Sequence, residues 1–308
     1  MNIRTDLKRM LPKLFELYKH LRRKNTIRHI AKIKKLSIDE LANIVSKRYL
    51  KRIGHPLDWD RLNTYTEKMQ WEKLYDNNLL KTEYADKLLV RRWIAQTIGQ
   101  EYLIPLLGEW DSFDDIDFDK LPSCFVLKTN HGSGTNLIVK DKSLLDKKAA
   151  KIKFNDWMKI DFGFLSMELH YSNIKRKIIA EQYIESENGE LQDYKFLCFD
   201  GVPYYCWVDM GRYSHHTRNV YDLDWNLQPW NQETYSHYDE PIPKPENFDE
   251  MINIAKTLSM GFSHVRVDLY NVKGKVYFGE MTFTNGGGFD RIIPEEYDRM
   301  LGDLWHIK

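Results

Sequence analysis

Between His264 and Tyr270 the chain alternates strictly: Val265, Val267 and Leu269 point one way, and His264, Arg266, Asp268 and Tyr270 the other. A period of two predicts a strand. Val276 to Phe283, rich in aromatic and β-branched residues, predicts a second strand. The intervening residues predict a hairpin with a three-residue loop, Val272-Lys273-Gly274, closed by Gly274 in the left-handed region. That loop pairs Asn271 with Lys275. Asp268 then faces Phe278, Arg266 faces Glu280, and the two acids are diagonal neighbours on one face, roughly 7–8 Å apart at the backbone. Two carboxylates at that separation, beside an arginine, can share a hard cation. A two-residue loop would slip the register and send Glu280 to the opposite face, so the placement rests on Gly274. The same pattern also suits a surface hairpin with ordinary solvated charges.

Upstream, the periodicity is helical over residues 1–52, and Gly54-His55-Pro56 interrupts it. Thr64, with Glu67 three residues on, predicts a capping box opening the next helix. Lys81 to Ile98 reads as one helix ended by Gly99, with Lys87 and Arg91 on one face. Strand patterns follow at Cys124–Lys128, 137–139, 177–184, 193–199 and 202–208, with Asp200-Gly201 a strong hairpin turn. Phe248 to Met260 predicts a helix closed by Gly261, which leads into the hairpin.

Two local features carry candidate chemistry. Lys128 ends a nearly all-apolar strand, where a charge needs a partner. The loop after it, Thr129 to Asn136, contains Gly132-Ser133-Gly134 and could lay backbone N–H groups over phosphate oxygens, although it lacks the Gly-Lys-Ser/Thr signature of a P-loop. A plain hairpin turn is the alternative there.

Composition changes this picture little. The chain has 308 residues and a net charge of +1, enough for one or two domains. The charge is uneven: residues 1–35 hold twelve Lys and Arg against Asp6 and Glu16, interleaved with Leu7, Leu11, Leu14, Phe15, Tyr18 and Leu21. This predicts a basic amphipathic helix, which could meet an anionic membrane surface or pack on the body with a solvated basic face. No apolar run approaches membrane-spanning length. The three cysteines, Cys124, Cys198 and Cys206, sit in apolar runs without metal spacing and read as buried reduced thiols, which fits the cytoplasm. A nucleic-acid partner is not expected, because the rest of the chain has no basic face.

Taken in order, Asp86-Lys87, Lys128 with its Gly-containing flap, Glu181-Gln182-Tyr183-Ile184, Asp193, and Arg266-Val-Asp268 with Gly279-Glu280 resemble ATP-grasp enzymes. Asp193-Tyr-Lys-Phe, Tyr221-Asp-Leu-Asp-Trp, Leu127-Lys-Thr-Asn-His-Gly-Ser-Gly and Gly279-Glu-Met-Thr-Phe-Thr look more narrowly like the teichuronopeptide-biosynthesis-like (TupA-like) ATP-grasp family, associated with cell-surface polysaccharide synthesis. The resemblance covers roughly residues 60–305. It implies an α+β fold with two lobes whose antiparallel sheets clasp ATP. The expected division is a basic helical region over 1–80, a first lobe over 81–185 and a second over 186–308.

By position, the resemblance implies that Lys87 and Lys128 contact nucleotide phosphates and that residues 131–136, with His131, Gly132, Ser133 and Gly134, form a flap over them. Glu181 to Ile184 become the adenine edge, with Glu181 near the exocyclic amine, and Asp193 holds the ribose. Asp268 and Glu280 hold Mg2+, and Arg266 neutralises the transferring phosphoryl group. Lys195 and Arg218 add phosphate contacts, which places Arg218 with Arg266 and Lys128 among the catalytic candidates. Many ATP-grasp enzymes have Asn two residues after the metal-binding Glu. Here that position is Thr282, a weaker third ligand, and Asn285 could substitute.

The implied activity is ADP-forming ligation of a carboxylate to an amine. The expected substrates are a uronic-acid glycan or its precursor and an amino acid or small amine, in the cytoplasm or at the inner membrane face. Asn285-Gly-Gly-Gly288 could bind an acyl phosphate or be a flexible turn. Two other readings compete. Asp222-Leu-Asp224 has the Asp-x-Asp form of a glycosyltransferase, and a nucleotide binder without ligase activity would need the same ATP groups.

Overall fold

The computed structural model describes residues 12–76, 78–185, 191–211 and 215–307, and side chains from Leu17 onward. Arg212, the loop residues 186–190 and the first eleven residues, with Arg4, Lys8 and Arg9, lie outside the described residues, as do the side chains of Lys13, Leu14 and Phe15. The chain divides into two compact units. One comprises the described residues up to Ser37 with Leu106–Tyr183; the other comprises Ile38–Pro105 and the described residues from Ile184 on. The single N-terminal region expected over 1–80 is therefore shared between the units. The reason is chemical: the helices after Ser37 carry the apolar residues that cover the second sheet.

The first unit is built on α1 (Pro12–Ile33), β1 (Leu106–Trp110), β2 (Phe125–Thr129), β3 (Asn136–Val139), α6 (Lys147–Trp157), α7 (Phe162–Ser166) and β4 (Ile178–Gln182). Its antiparallel sheet has the order β1-β4-β2-β3. Strand alternation sends Phe125, Leu127, Ile178 and Ala180 to one face, where they pack with Phe154 of α6 and Phe113 and Phe118 of the preceding loop. Val126, Lys128, Ile179 and Glu181 take the other face, Lys128 opposite Ile179 and Val126 opposite Glu181.

The second unit holds α2 (Ile38–Ile53), α3 (Tyr65–Tyr75), α4 (Leu79–Ala85), α5 (Val90–Thr97), β5 (Asp193–Phe199), β6 (Val202–Met210), β7 (Thr217–Asp222), β8 (Asn231–Gln232), α8 (Phe248–Ser259), β9 (His264–Val272), β10 (Lys275–Thr282), β11 (Ile292–Ile293) and α9 (Glu296–Asp303). Its main sheet is antiparallel, in the order β10-β9-β5-β6-β7. One face is closed by α8, whose Phe248 stacks on Phe196 at 5.6 Å. On the other face, Leu197, Phe199, Trp207 and Val220 pack under Tyr65 and Met69 of α3 and Leu301 of α9. The expected capping box forms: Glu67 accepts from the Thr64 amide at 2.9 Å, and Thr64 accepts from the Glu67 amide at 3.3 Å. Asp298 of α9 accepts from the Thr66 amide at 2.9 Å and ties the two helices together.

One helix expected over Lys81–Ile98 is two. Asp86 caps the break, accepting the Leu88 amide at 2.8 Å and so capturing a group that a continuous helix would use. Lys87 therefore leaves the Arg91 face, and Arg91 donates to the Ile104 carbonyl at 2.6 Å. Of the cysteines, Cys198 and Cys206 are buried and Cys124 is half-buried, and all are free thiols. Among the described residues no helix is long and apolar enough to cross a membrane.

Candidate functional site

The Asp268 hairpin has a two-residue turn, not the expected three. Lys273 and Gly274 both take left-handed φ, +54° and +75°, and Lys275 pairs with Val272. The face inversion that this turn alone would cause does not happen. A β-bulge between Phe278 and Glu280 adds one residue, Gly279, and sets Glu280 directly opposite Asp268 and Thr282 opposite Arg266. Glycine fits there because a Cβ at 279 would lie 3.0 Å from the Asp268 carbonyl oxygen and 3.2 Å from the Tyr270 ring. Gly279→Ala is expected to lower stability by about 1–3 kcal/mol through this overpacking, read by chemical denaturation. An unchanged midpoint would show that the bulge does not need glycine.

The β5–β6 hairpin repeats the device. Asp200 and Gly201 form the turn with Phe199 opposite Val202, and a bulge near Pro203 then shifts the ladder so that Asp193 faces Asp209. Lys195 faces Asp268 across the β5–β9 pair, and Asp209 faces Arg218 across β6–β7. One half of this sheet face is thus charged, from Glu280 on β10 to Arg218 on β7, and continuous with the apolar half under α3.

Arg266 is the hub. Its Nε and Nη2 donate to the two Asp268 oxygens at 2.6 and 2.7 Å, a fork that suits a planar guanidinium. Nη2 also donates to Thr282 Oγ1 at 3.0 Å and to Glu280 Oε1 at 3.4 Å, and Nη1 donates to Asn285 Oδ1. Lys195 Nζ lies 2.9 Å from Asp268, 3.3 Å from Asp193 and 3.8 Å from Asp209. Arg218 forks onto Asp209 at 2.5 and 2.8 Å, donates to Gln232 and lies over the Tyr235 ring. Lys87 Nζ stands 3.7 Å from Glu280 Oε2. Asp193, Lys195, Asp209, Arg218, Arg266 and Asp268 are all buried, whereas the Glu280 side chain is 37% exposed.

The electrostatics follow from burial and pairing. Burial pulls the Lys195 ammonium down, but Asp193, Asp268 and Asp209 outweigh it and leave its pKa above the ordinary value. Burial pushes the Asp209 carboxyl up, and Arg218 and Lys195 overcome that, so it stays ionised far into acid. Burial also opposes the charge on Arg266, and Asp268 more than restores it. Lys195, Asp209 and Arg266 therefore keep their charges at neutral pH.

A hard cation is compatible with these donors. Asp268 and Glu280 face one another directly, Thr282 Oγ1 lies 3.4 Å from Glu280 Oε1, and the Glu280 carboxylate is the partly open one. Its contacts to Arg266 and Lys87 are long enough for a cation to replace. Asp268, by contrast, has both oxygens engaged by Arg266 and Lys195. No group of three or more His, Cys, Asp or Glu among the described residues could hold a metal by itself. A cation here would draw the rest of its shell from water and phosphate, as Mg2+ commonly does. Asn285 has its Oδ1 engaged by Arg266, while its Nδ2 is buried without a hydrogen-bond partner among the described residues, a donor suited to a phosphate oxygen and not to a cation.

The first unit places Lys128 and Glu181 together. Lys128 Nζ donates to Glu181 Oε2 at 2.5 Å across diagonal positions of β2 and β4, so the half-buried lysine finds a buried carboxylate as its partner. Gln182 is exposed and Tyr183 and Ile184 half-exposed at the end of β4. The flap is only partly available. His131 is buried with its ring edge-on to Phe162 at 5.4 Å, and a Cβ on Gly132 would strike that same ring. Thr129 and Thr135 hydroxyls meet at 2.6 Å and close the loop's neck, leaving Ser133 and Gly134 as its exposed tip. His131 and Gly132 thus anchor the flap and lie off its open surface.

Arg218 sits within the same charged row, but its guanidinium is spent on Asp209 and Gln232. In this arrangement it holds Asp209 and Gln232 in place. Asp222 closes a turn: it accepts from the amides of Asp224 and Asn226 at 3.0 and 2.8 Å and from the side chains of Asn226 and Gln228. The Asp-x-Asp motif is accounted for by that turn. Sequence reading missed Asp209 and Gln232. Asp209 falls at the end of β6, and its face depends on the bulge near Pro203, a residue that cannot donate to the ladder and was the available clue.

Among solved structures, the chain is similar to the ATP-grasp ligase PsnB, complexed with minimal precursor, Mg and ADP, at 8% identity and TM-score 0.38, over 66% of this chain and 52% of that one. It is similar to the D-alanine–D-alanine ligase from Bacillus anthracis complexed with ATP at 17% identity and TM-score 0.39, over 72% and 62%. It is similar to the L-amino acid ligase from Bacillus licheniformis at 15% identity and TM-score 0.42, over 68% and 45%. The chain thus spans about half to three-fifths of the length of these proteins. No curated protein matches it. A model of the TupA-like ATP-grasp family matches residues 67–306, which take in Lys87, Lys128, the Asp193–Lys195 strand and the whole Asp268–Glu280 hairpin, and the chain belongs to that family.

Proposed function

We propose that the protein is an ATP-dependent, ADP-forming carboxylate–amine ligase that joins an amino acid or small amine to a uronic-acid carboxyl of a surface polysaccharide or its precursor. The observation that carries this reading is the half-open charged face on which Arg266 forks Asp268 while Glu280, set opposite by the Gly279 bulge, remains accessible. A dense buried ion network is a costly way to stabilise a fold, so its retention beside an open carboxylate fits a site for anionic ligands. The family's association with cell-surface polysaccharide points to the glycan.

A carboxylate does not acylate an amine at neutral pH until it is activated. In the proposed reaction a carboxylate oxygen of the substrate attacks the γ-phosphorus of ATP. The bond from that phosphorus to the β-phosphate bridging oxygen breaks, and ADP leaves. The amine nitrogen then attacks the carbonyl carbon of the acyl phosphate, the carbon–oxygen bond to phosphate breaks, and the nitrogen releases a proton. Phosphoryl transfer needs positioning and charge neutralisation more than a covalent protein nucleophile. Mg2+, when held by Glu280 and Asp268 with Thr282, supplies charge neutralisation at the phosphates. Arg266 and Lys87 already reach Glu280 and supply cations at the same place, and Lys128 supplies one beside Glu181. Lys195 and Arg218 hold Asp268, Asp193 and Asp209 in place. Ser133 and Gly134 form the exposed tip of the anchored loop and are the first unit's candidate phosphate contacts.

The test is mass spectrometry of reactions containing ATP, Mg2+, uronic-acid glycans and an amino-acid pool. A new amide accompanied by ADP and phosphate is the expected result. AMP formation, or glycan extension at the expense of a nucleotide sugar, overturns the assignment. The glycosyltransferase reading has lost its motif, because Asp222 is consumed by its turn.

A further inference from the structure

Helix α1 sorts its charges by face. Inward, Arg23 and His20 share Asp156 at 2.6 and 2.7 Å, and just past the helix Lys34 reaches Asp161 at 2.6 Å. Ile30 and Ile33 are buried against the same unit. Outward, at steps of three and four residues, stand Leu17, Leu21, Lys24, Arg28 and Lys32, all exposed and therefore on one stripe. Leu17 and Leu21 are each 52% exposed and Tyr18 is 44% exposed. No Asp or Glu occurs between residues 17 and 38, so from Leu17 on the helix carries no acid of its own along that stripe.

We propose that α1 docks this chain onto an anionic lipid bilayer. Leu17, Tyr18 and Leu21 enter the headgroup boundary, and Lys24, Arg28 and Lys32 lie along the lipid phosphates. Asp156 and Asp161 take the inward cations and so fix which face of the helix looks outward. A soluble polyanion would match the cations equally well. It gives no account of two leucines and a tyrosine held in water at one end of the same stripe, and that favours the bilayer. The inference is independent of the ligase chemistry and concerns where the protein works.

The experiment is co-sedimentation of the full chain with vesicles of phosphatidylcholine alone or phosphatidylcholine with phosphatidylglycerol. Binding is expected only with the anionic lipid and is expected to fall as salt is raised. Reversing three cations in K24E/R28E/K32E is expected to weaken partitioning by roughly 100-fold or more, at about fivefold for each charge removed. L17S/L21S is expected to weaken it by roughly tenfold. Thermal unfolding of both variants should match the parent, since the altered side chains are exposed. Equal binding to both vesicle types, no binding to either, or unchanged binding by the charge-reversed variant overturns the proposal. So does capture by a soluble polyuronate or RNA as tight as by anionic vesicles with L17S/L21S binding vesicles normally, which would make the stripe a polymer site.

Discussion

Replacing Arg266 with alanine is expected to lower the unfolding free energy by about 3–5 kcal/mol, read as a fall in the denaturant midpoint. The guanidinium makes five contacts at once: the fork to Asp268, Thr282, Glu280 and Asn285. Its removal strands a buried carboxylate and leaves the Asn285 amide oxygen without its donor. Lys195 keeps one bond to Asp268 at 2.9 Å, which sets the lower end of the range. Arg266→Lys should recover only part of the loss, because an ammonium cannot fork both carboxylate oxygens. Arg266→Met with Asp268→Leu should be markedly more stable than Arg266→Ala, since it removes both charges together. A loss under about 1 kcal/mol for Arg266→Ala would mean that water solvates Asp268, and the buried description of this cluster would be wrong.

Glu280→Gln is expected to do the opposite: lower turnover by roughly 100- to 1,000-fold with little change in stability. The side chain is 37% exposed and its contacts to Arg266 and Lys87 are 3.4 and 3.7 Å, so the folded state depends on it weakly. The amide keeps the shape and removes the charge that would hold a divalent cation against phosphate. Steady-state ADP release, run beside chemical denaturation, separates the two effects. Excess Mg2+ should restore part of the rate if the lost group is a metal ligand. Unaltered turnover would remove Glu280 from the chemistry, and the reading of this face as a phosphoryl-transfer site would fall with it. The pair Arg266 and Glu280 thus divides one constellation into a residue that holds the face together and a residue that acts from it.

Both hairpins show where local reasoning stopped. From turn residues alone, Asp200-Gly201 sets Asp193 opposite Val208, and a two-residue turn at Lys273-Gly274 sends Glu280 to the far side of the sheet. In each case one inserted residue downstream, near Pro203 or at Gly279, shifts the ladder back by one. A turn reports only the first few pairs, whereas a bulge is favoured by what the shifted side chains then meet across three strands. The expected three-residue loop was therefore wrong in its turn and right in its consequence, because Asp268 and Glu280 do share a face. The capping box at Thr64 and Glu67 was legible because both partners lie within one helical turn. The break at Asp86 was less so, because its cap competes with a helix that the apolar pattern also supports.

Local and near-local signals in this sequence determined the α+β class, most strand positions, the family, and the identity of the residues that gather around Asp268. Those signals are short-range: alternation, caps, glycine turns and motif order. Only the tertiary structure decided how the charges are shared. It paired Lys128 with Glu181, spent Arg218 on Asp209, buried His131 under the flap against Phe162, and gave helices after Ser37 to the second unit. Each of those outcomes depends on which side chains meet across strands distant in sequence, and on the cost of leaving a buried charge without a partner.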